Sequence, residues 1–186
     1  MYDVKFQNES NTSSFPYYMS AGITTRMIGD LILVHGDDNG LVMPFALAPV
    51  QVAILTIFAD KDENVKKVAN ELYTSLSNIY DVKLDNSNNG FGFKINEQEV
   101  NGTPFCIVIG PKDIANNQCT LIRRDNQIKQ TVNIDNVIEA IASQKQEYSD
   151  NLYNKAKKHL DNSIVEVNNM EEFKKAIAEH KIVLAA

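Results

Sequence analysis

Two largely apolar stretches constrain the fold of this 186-residue chain more than any other feature of its sequence. The first, VQVAILTIF, covers residues 50–58, and the second, TPFCIVIG, covers residues 103–110. Strands this uniform do not suit a sheet with one wet face, so both are predicted to be covered on both sides. Between them, apolar residues keep a helical spacing over 62–79, with Asp62 as a suitable N-cap. Buried strands that alternate with helices predict an α/β fold.

Shorter patterns extend this α/β reading on both sides of the second apolar stretch. Residues 80–85 predict a short strand, whereas the helical face over 94–100 is weak. The segments QCTLIRRD and QIKQTVNI predict a hairpin that turns near Asn126.

The last third of the chain predicts a long helix and then a small parallel unit. The helix runs from Asp135 to Leu160. The tail follows as a strand, a helix capped by Asn168 or Asn169 and a second strand, at 163–167, 170–179 and 181–185. We therefore expect three regions, at 1–44, 45–132 and 133–186.

The N-terminal region predicts a strand at 15–21 and a helix at 24–35, with Arg26 where the strand hands over to the helix. Free N–H groups and the helix dipole favour anions at such a place. From this residue alone, however, a surface arginine in an ion pair is favoured over a ligand contact. After the helix, His35 is interpreted as a packing residue, and Asp37 and Asp38 as turn formers.

Composition excludes some classes of function. The net charge of −6 argues against a general nucleic-acid binder, so any RNA contact has to be a local patch on an acidic body. The longest apolar run, residues 50–59, is too short to cross a bilayer. Cys106 and Cys119 form no metal-type cluster with the histidines and predict buried reduced thiols. We expect a cytoplasmic protein with neither a DNA nor a membrane partner.

An ordered series of segments resembles a known family. SAGITTRMIGDLILVHGDDNGLVMPFALAPVQVAIL resembles the third class-defining motif of class II aminoacyl-tRNA synthetases and the start of their anticodon-binding domain. The likeness is specifically to prolyl-tRNA synthetases of the archaeal and eukaryotic type. It continues through GFGFKINEQEVNGTPFCIVIGPKDI and RRDNQIK to the C-terminal segment. The resemblance implies a mixed five-stranded sheet with flanking helices, plus a small C-terminal α/β domain.

The resemblance also implies roles for the N-terminal residues. Arg26 and Thr24 match positions that contact ATP, the arginine by stacking and charge on the adenine. Ser20 and Gly22 match a strand edge that lines the aminoacyl pocket. Ala21 stands where the family usually has tryptophan, and the loss of that ring would open or reshape the pocket.

For the RNA half, four positions match family residues that read the two guanines of the proline anticodon: Glu99, Lys112, Asp113 and Lys129. A carboxylate accepts from guanine N1–H and N2–H₂, and a lysine donates to O6 and N7. We expect these side chains to converge on one sheet edge. Arg123 and Arg124 are candidates for contacts to the RNA backbone.

Two departures from the family weaken the carry-over to tRNA. Cys106 replaces an arginine that can contact the anticodon, and Gln98 replaces a usual tryptophan. We expect weaker anticodon affinity than is usual in the family.

The resemblance implies that this chain is the C-terminal portion of a longer ligase. The parent joins L-proline to tRNA(Pro) through a prolyl-adenylate, uses ATP with Mg²⁺ and forms a homodimer. The missing class II motifs would precede residue 1, and a zinc site would follow residue 186, so no metal is assigned within the chain. Two alternatives stay open, a stand-alone tRNA-binding module and an unrelated α/β binding domain.

Overall fold

A computed structural model of the chain describes residues 4–60 and 62–185. By its internal contacts the chain divides into two units, one ending at Asp30 and one beginning at Leu31. The N-terminal unit holds a short hairpin of β1 (Phe6–Gln7) and β2 (Ser13–Ser14). Helix α1 (Arg26–His35) begins in this unit.

The prediction of a strand at 15–21 is wrong. Residues 15–24 belong to no helix or strand, and none of the described strands pairs with this segment. A strand needs a neighbour for its N–H and C=O groups, and sequence pattern alone does not supply one. Large apolar side chains of this segment lie in solvent: Phe15, Tyr17, Tyr18, Met19 and Ile23.

The second unit is built on a mixed five-stranded sheet, as expected. Its order is β4 (Val82–Asp85), β3 (Val52–Thr56), β5 (Phe105–Ile109), β6 (Gln118–Arg123) and β7 (Lys129–Asn133). The first three are parallel, and β6 and β7 add antiparallel as the predicted hairpin. Every residue of β3 and β5 is buried, which confirms that the strands within both apolar stretches are covered on both faces, although Phe58 at the end of the first stretch is exposed.

Helices cover the two faces of the sheet unequally. On one face, α2 (Glu63–Ser77) and the first half of α5 (Val137–Ser163) pack on a core that includes Val52, Ile54 and Phe105. On the other face, α3 (Phe91–Asn101) places Ile95 against a smaller cluster: Ala53, Leu55, Cys106, Val108 and Ile122. The remaining helix, α4 (Pro111–Ala115), is a single turn after β5.

Helix α3 is complete although its sequence pattern is weak, because two of its inward positions are polar. Lys94 and Gln98 are both almost fully buried. The Lys94 ammonium donates to the carbonyl oxygens of Thr56 and Asp85 at 2.9 and 3.1 Å, and lies 3.6 Å from the Asp85 carboxylate. A helix that buries a lysine in this way does not show the apolar periodicity by which helices are recognised.

The C-terminal segment confirms the predicted strand, helix and strand. After a short 3-10 turn (Ile134–Asn136), α5 leads to β8 (Ile164–Val167), α6 (Met170–Ala178) and β9 (Ile182–Ala185). The strands pair in parallel, with Ile164 opposite Ile182. Asn169 caps α6 by accepting from the Glu172 N–H at 2.9 Å. Earlier in α5, the Tyr148 hydroxyl donates to the Met43 carbonyl at 2.8 Å and holds α5 against the linker, residues 36–51, which joins α1 to β3.

None of the helices within residues 4–60 and 62–185 has the length and apolar character needed to cross a membrane. Over the same residues, no group of three or more histidine, cysteine, aspartate or glutamate side chains is placed to hold a metal ion.

Candidate nucleic-acid interface

Glu99 and Lys129, two of the four residues matched to anticodon reading, share the α3 face of the sheet. Ile122 belongs to the cluster on this face, and Lys129 is its direct antiparallel partner on β7. Side chains that are directly opposite in an antiparallel pair project from the same face, so Lys129 lies on the α3 side and is exposed. Glu99 is half-buried in the last turn of α3 and, with Cys106 and Ile122, lines a cavity of about 10 Å³.

The other two, Lys112 and Asp113, follow the carboxyl end of β5. Asp113 caps its own helix turn, since its Oδ2 accepts the Gly110 N–H at 2.9 Å and its N–H donates to the Gly110 carbonyl at 3.1 Å. Lys112 is exposed. Cys106 lies near the beginning of β5 and Gly110 just past its end, roughly 13 Å apart at the rise of a strand. The four residues therefore form two groups along one strand, and their convergence on one ligand stays a prediction.

Cys106 and Gln98, the two departures, are buried. Burial, with the nearby charge of Glu99, raises the pKa of the Cys106 thiol to about 12. The Gln98 Oε1 accepts from the Thr103 hydroxyl at 3.0 Å, whereas its Nε2 has no partner among the described residues. Both side chains form the floor of the α3 face rather than its exposed surface. Cys119, on the opposite face, is also buried, and burial raises its pKa to about 11.

The interpretation of Arg123 and Arg124 as RNA-backbone contacts is wrong, because both side chains are buried in ion pairs. Arg123 binds Asp125 through Nε and a terminal nitrogen at 3.0 and 2.8 Å, and reaches Glu147 on α5 at 2.9 Å. Asn151 adds a hydrogen bond of 2.7 Å to Asp125. Two of the partners lie on α5, beyond the hairpin whose local charge suggested a basic patch, so the sequence window could not reveal them.

Arg124 binds the linker turn, which is formed by residues 37–40. Its terminal nitrogens lie 2.7 and 2.6 Å from the two carboxylate oxygens of Asp37, and its Nε donates to the Glu99 carbonyl at 3.1 Å. Asp37 forms the predicted turn as well, since its Oδ1 accepts the N–H groups of Asn39 and Gly40. The hydrogen bond from Arg124 is the largest cause that lowers the pKa of Asp37 to about 2. This long-range pair is a contact that the sequence reasoning missed.

His35 lies at the end of α1, and its interpretation as a packing residue stays a prediction. It is half-buried and lines a cavity of about 1030 Å³ with residues of α5, including Leu152 and Lys155. Burial lowers its pKa, and the charge of Lys155 lowers it further.

The residues matched to the ATP and aminoacyl sites lie in the N-terminal unit and are exposed: Ser20, Gly22, Thr24 and Arg26. The Thr24 carbonyl accepts the Met27 N–H at 3.1 Å, so the chain enters the helix just before Arg26, the first residue of α1. A Cβ on Gly22 would meet no atom within 4 Å, which leaves the backbone there open to a ligand.

The five-stranded sheet and its helices belong to a known class of RNA-binding domain. A family model described as an anticodon binding domain matches residues 51–144, which is about half of the chain and includes the five-stranded sheet. The chain belongs to the family of anticodon-binding domains.

Its relatives within that class are proline–tRNA ligases. The chain is 44% identical over 184 residues to the proline–tRNA ligase of Ureaplasma urealyticum, and 41% identical over 183 residues to that of Mycoplasmopsis synoviae. These alignments cover 99% and 98% of the chain but 39% and 38% of the relatives, so the chain spans well under half of their length. The resemblance found from the sequence motifs is thereby confirmed.

A solved structure gives the same likeness. The prolyl-tRNA synthetase of Cryptosporidium parvum complexed with L-proline and AMP matches with a TM-score of 0.85 and 33% identity. The match covers 97% of this chain and 40% of that protein. The same enzyme complexed with halofuginone and AMPPNP matches equally well.

Proposed function

We propose that this chain is the C-terminal portion of a prolyl-tRNA synthetase and that its five-stranded domain binds the anticodon loop of tRNA(Pro). The observation that carries the proposal is the match of nearly the whole chain, in fold and in sequence, to one part of proline–tRNA ligases. The domain boundaries at 44 and 132 belong to the same proposal.

The α3 face offers the chemistry that unpaired guanines require. Bases in an anticodon loop are splayed out, so their Watson–Crick edges are available to side chains. The Glu99 carboxylate would accept from N1–H and N2–H₂ of one guanine, and Lys129, on the same face, would donate to its acceptors. Lys112 and Asp113 supply the same pair of charges beyond the end of β5, where the second guanine would bind. Since Arg123 and Arg124 are paired with buried or nearby carboxylates, Lys112 and Lys129 are the exposed cations among residues 103–132.

The N-terminal unit would contribute to the synthetase active site of the complete protein. Arg26 would stack on the adenine of ATP, Thr24 would contact the same nucleotide, and Ser20 and Gly22 would line the L-proline pocket. Mg²⁺ would arrive with the ATP phosphates, which are its preferred ligands. The complete protein would be a cytoplasmic homodimer that forms prolyl-adenylate and transfers proline to the tRNA, largely by positioning the reactants and stabilising phosphate charge.

The exposed apolar residues of segment 15–24 support a longer working protein. In a complete catalytic domain these side chains would be covered, and the segment would find the strands it lacks here. The chain alone is therefore expected to bind the anticodon loop without forming prolyl-adenylate.

Titration with anticodon stem-loops tests the proposal. A fluorescent stem-loop with the proline anticodon should bind more tightly than one in which both guanines are replaced by adenines, by at least tenfold at 0.15 M salt. Lys112→Ala and Lys129→Ala should each weaken binding to the proline stem-loop by roughly 5- to 100-fold, as loss of a good base contact does.

Lys67→Ala is the matched control, because Lys67 is an exposed lysine on α2, which packs on the opposite face of the sheet. It should leave the affinity within twofold of the unaltered chain. Equal binding of the two stem-loops, with the same steep salt dependence, would indicate nonspecific charge attraction and contradict the proposal.

A further inference from the structure

Arg124 joins three parts of the second unit at one buried point. Arg124 follows the last residue of β6 and is 4% exposed. Its terminal nitrogens donate to both carboxylate oxygens of Asp37 in the linker turn, and its Nε donates to the main-chain carbonyl of Glu99 in α3. The planar guanidinium makes all three bonds at once, which its fork geometry allows and a lysine ammonium does not reproduce.

The same linker turn holds the end of α3 from the other side. The Leu41 N–H donates to the Val100 carbonyl and the Met43 N–H to the Gly102 carbonyl, each at 3.2 Å. Gly40 lies so close that a Cβ on it would be 2.8 Å from the Glu99 carbonyl oxygen. The backbone at Glu99 is therefore held between the linker and Arg124, and its position above the sheet is set by both.

Charge links the same groups. Glu99 is close enough to Arg124 for its negative charge to raise the pKa of the guanidinium, and close enough to Cys106 to raise the pKa of the thiol. The Glu99 carboxylate thus lies near a buried cation on the face where it would meet a base.

We infer that Arg124 is the positioning residue for base recognition at Glu99: by tying the Glu99 main chain to Asp37, it places the carboxylate for a guanine edge without touching the RNA. This inference rests on the proposed function. It turns a residue that looked like an RNA-backbone contact into one that sets the specificity of its neighbour.

Binding to stem-loops that differ by one exocyclic amine tests the inference. Each anticodon guanine is replaced in turn by inosine, which lacks the N2 amine that a carboxylate recognises. For the base read by Glu99, the unaltered chain should prefer guanine by roughly 10- to 150-fold, the range for loss of one hydrogen bond to a charged group. Arg124→Lys should lower this preference below threefold while the affinity for the inosine loop changes less than twofold. Glu99→Gln should give the same loss, and adding Arg124→Lys to it should give no more, because the two residues act as one unit.

Arg123→Lys is the matched control, since Arg123 is adjacent, equally buried and ion-paired but binds Asp125 and Glu147 instead. It should lower thermal stability yet keep the guanine preference. Equal loss of preference in both variants, or full preference in folded Arg124→Lys, would overturn the inference.

Asp37→Asn replaces this test if Arg124→Lys does not fold. It weakens the ion pair with the Arg124 guanidinium and leaves the arginine itself unchanged. It should reduce the guanine preference at least threefold, and an unchanged preference would overturn the inference. No preference for guanine over inosine in the unaltered chain would also overturn the inference, whereas equal binding of the guanine and adenine stem-loops would refute the proposed function on which it rests.

Discussion

Replacing Gly40 with alanine tests whether the linker turn and the end of α3 are as closely packed as the structure has them. Gly40 has a φ of +136°, a backbone conformation that side chains with a Cβ rarely adopt. A Cβ there would also lie 2.5 Å from the Val100 Cα and 2.8 Å from the Glu99 carbonyl oxygen. Both contacts are with backbone, so no side-chain rotation relieves them and the turn has to move.

The cost can be worked out from three contributions. Holding a non-glycine residue at this φ costs about 1–3 kcal/mol. Moving the turn sacrifices the hydrogen bond from the Leu41 N–H to the Val100 carbonyl, worth about 0.5–1.5 kcal/mol. Reduced freedom of the unfolded chain returns about 0.4–1 kcal/mol. We expect Gly40→Ala to lower the free energy of unfolding by about 0.5–4 kcal/mol, and the middle of this range, about 2 kcal/mol, is roughly a 4–8 °C drop in Tm for a chain of this size.

Urea denaturation followed by circular dichroism measures this change. Gly92→Ala is the control, because Gly92 lies in α3, the helix that Gly40 approaches, and a Cβ there meets no atom within 4 Å. It should raise stability by about 0.5–1 kcal/mol through helix propensity. If Gly40→Ala is as stable as the unaltered chain, the close approach of the linker to Val100 is not a feature of the folded protein.

Other groups make further predictions. Lys94→Met removes a buried cation and leaves the Asp85 carboxylate short of a partner, so it should destabilise the chain by about 2–4 kcal/mol in the same urea assay, and a loss below 0.5 kcal/mol would contradict the buried pair. Because the folded pKa of Asp37 is about 2, below its ordinary value of 3.8, its contribution is fully present above pH 4 and is lost as the pH falls from 4 through 2. Stability measured over this range should therefore fall less steeply in Asp37→Asn, and equal slopes would show that the carboxylate is unperturbed. Cys106 and Cys119 should react with a thiol reagent at pH 8 only as fast as the protein opens, and rapid modification of the native chain would refute their burial.

Sequence patterns predicted the apolar framework well, because its signals are local. The uniform runs at 50–58 and 103–110, the hairpin at 118–134 and the C-terminal strand, helix and strand all appear in the structure close to their expected bounds. In each case the period of the apolar residues, or a turn residue, carries the information within a few positions.

The patterns failed where structure depends on distant partners. Segment 15–21 has the composition of a strand, yet a strand exists only with a neighbour to receive its hydrogen bonds. Arg124 finds Asp37 at a separation of 87 residues, and no local pattern announces such a pair. Helix α3 gave only a weak helical pattern because one of its inward positions is Lys94, whose ammonium donates to carbonyl oxygens of β3 and β4.

The candidate site could be reached only through family resemblance. Glu99, Lys112, Asp113 and Lys129 are ordinary polar residues on a helix, a turn and an edge strand, and none has a spacing that signals chemistry. The structure adds which charges are exposed, and it thereby separates Lys112 and Lys129 from the two arginines beside them.

The 27-residue length of α5 affects how a movement at the five-stranded sheet reaches the C-terminal strands. At the usual rise such a helix is about 40 Å long, and its first half is anchored in the sheet by Ile141 and Tyr148 while its far end carries β8. About 22 Å of the helix extends beyond Tyr148, so a tilt of about 5° at the sheet would displace its far end by roughly 2 Å. Any ligand that shifts the sheet end of this helix would move the terminal strands with it.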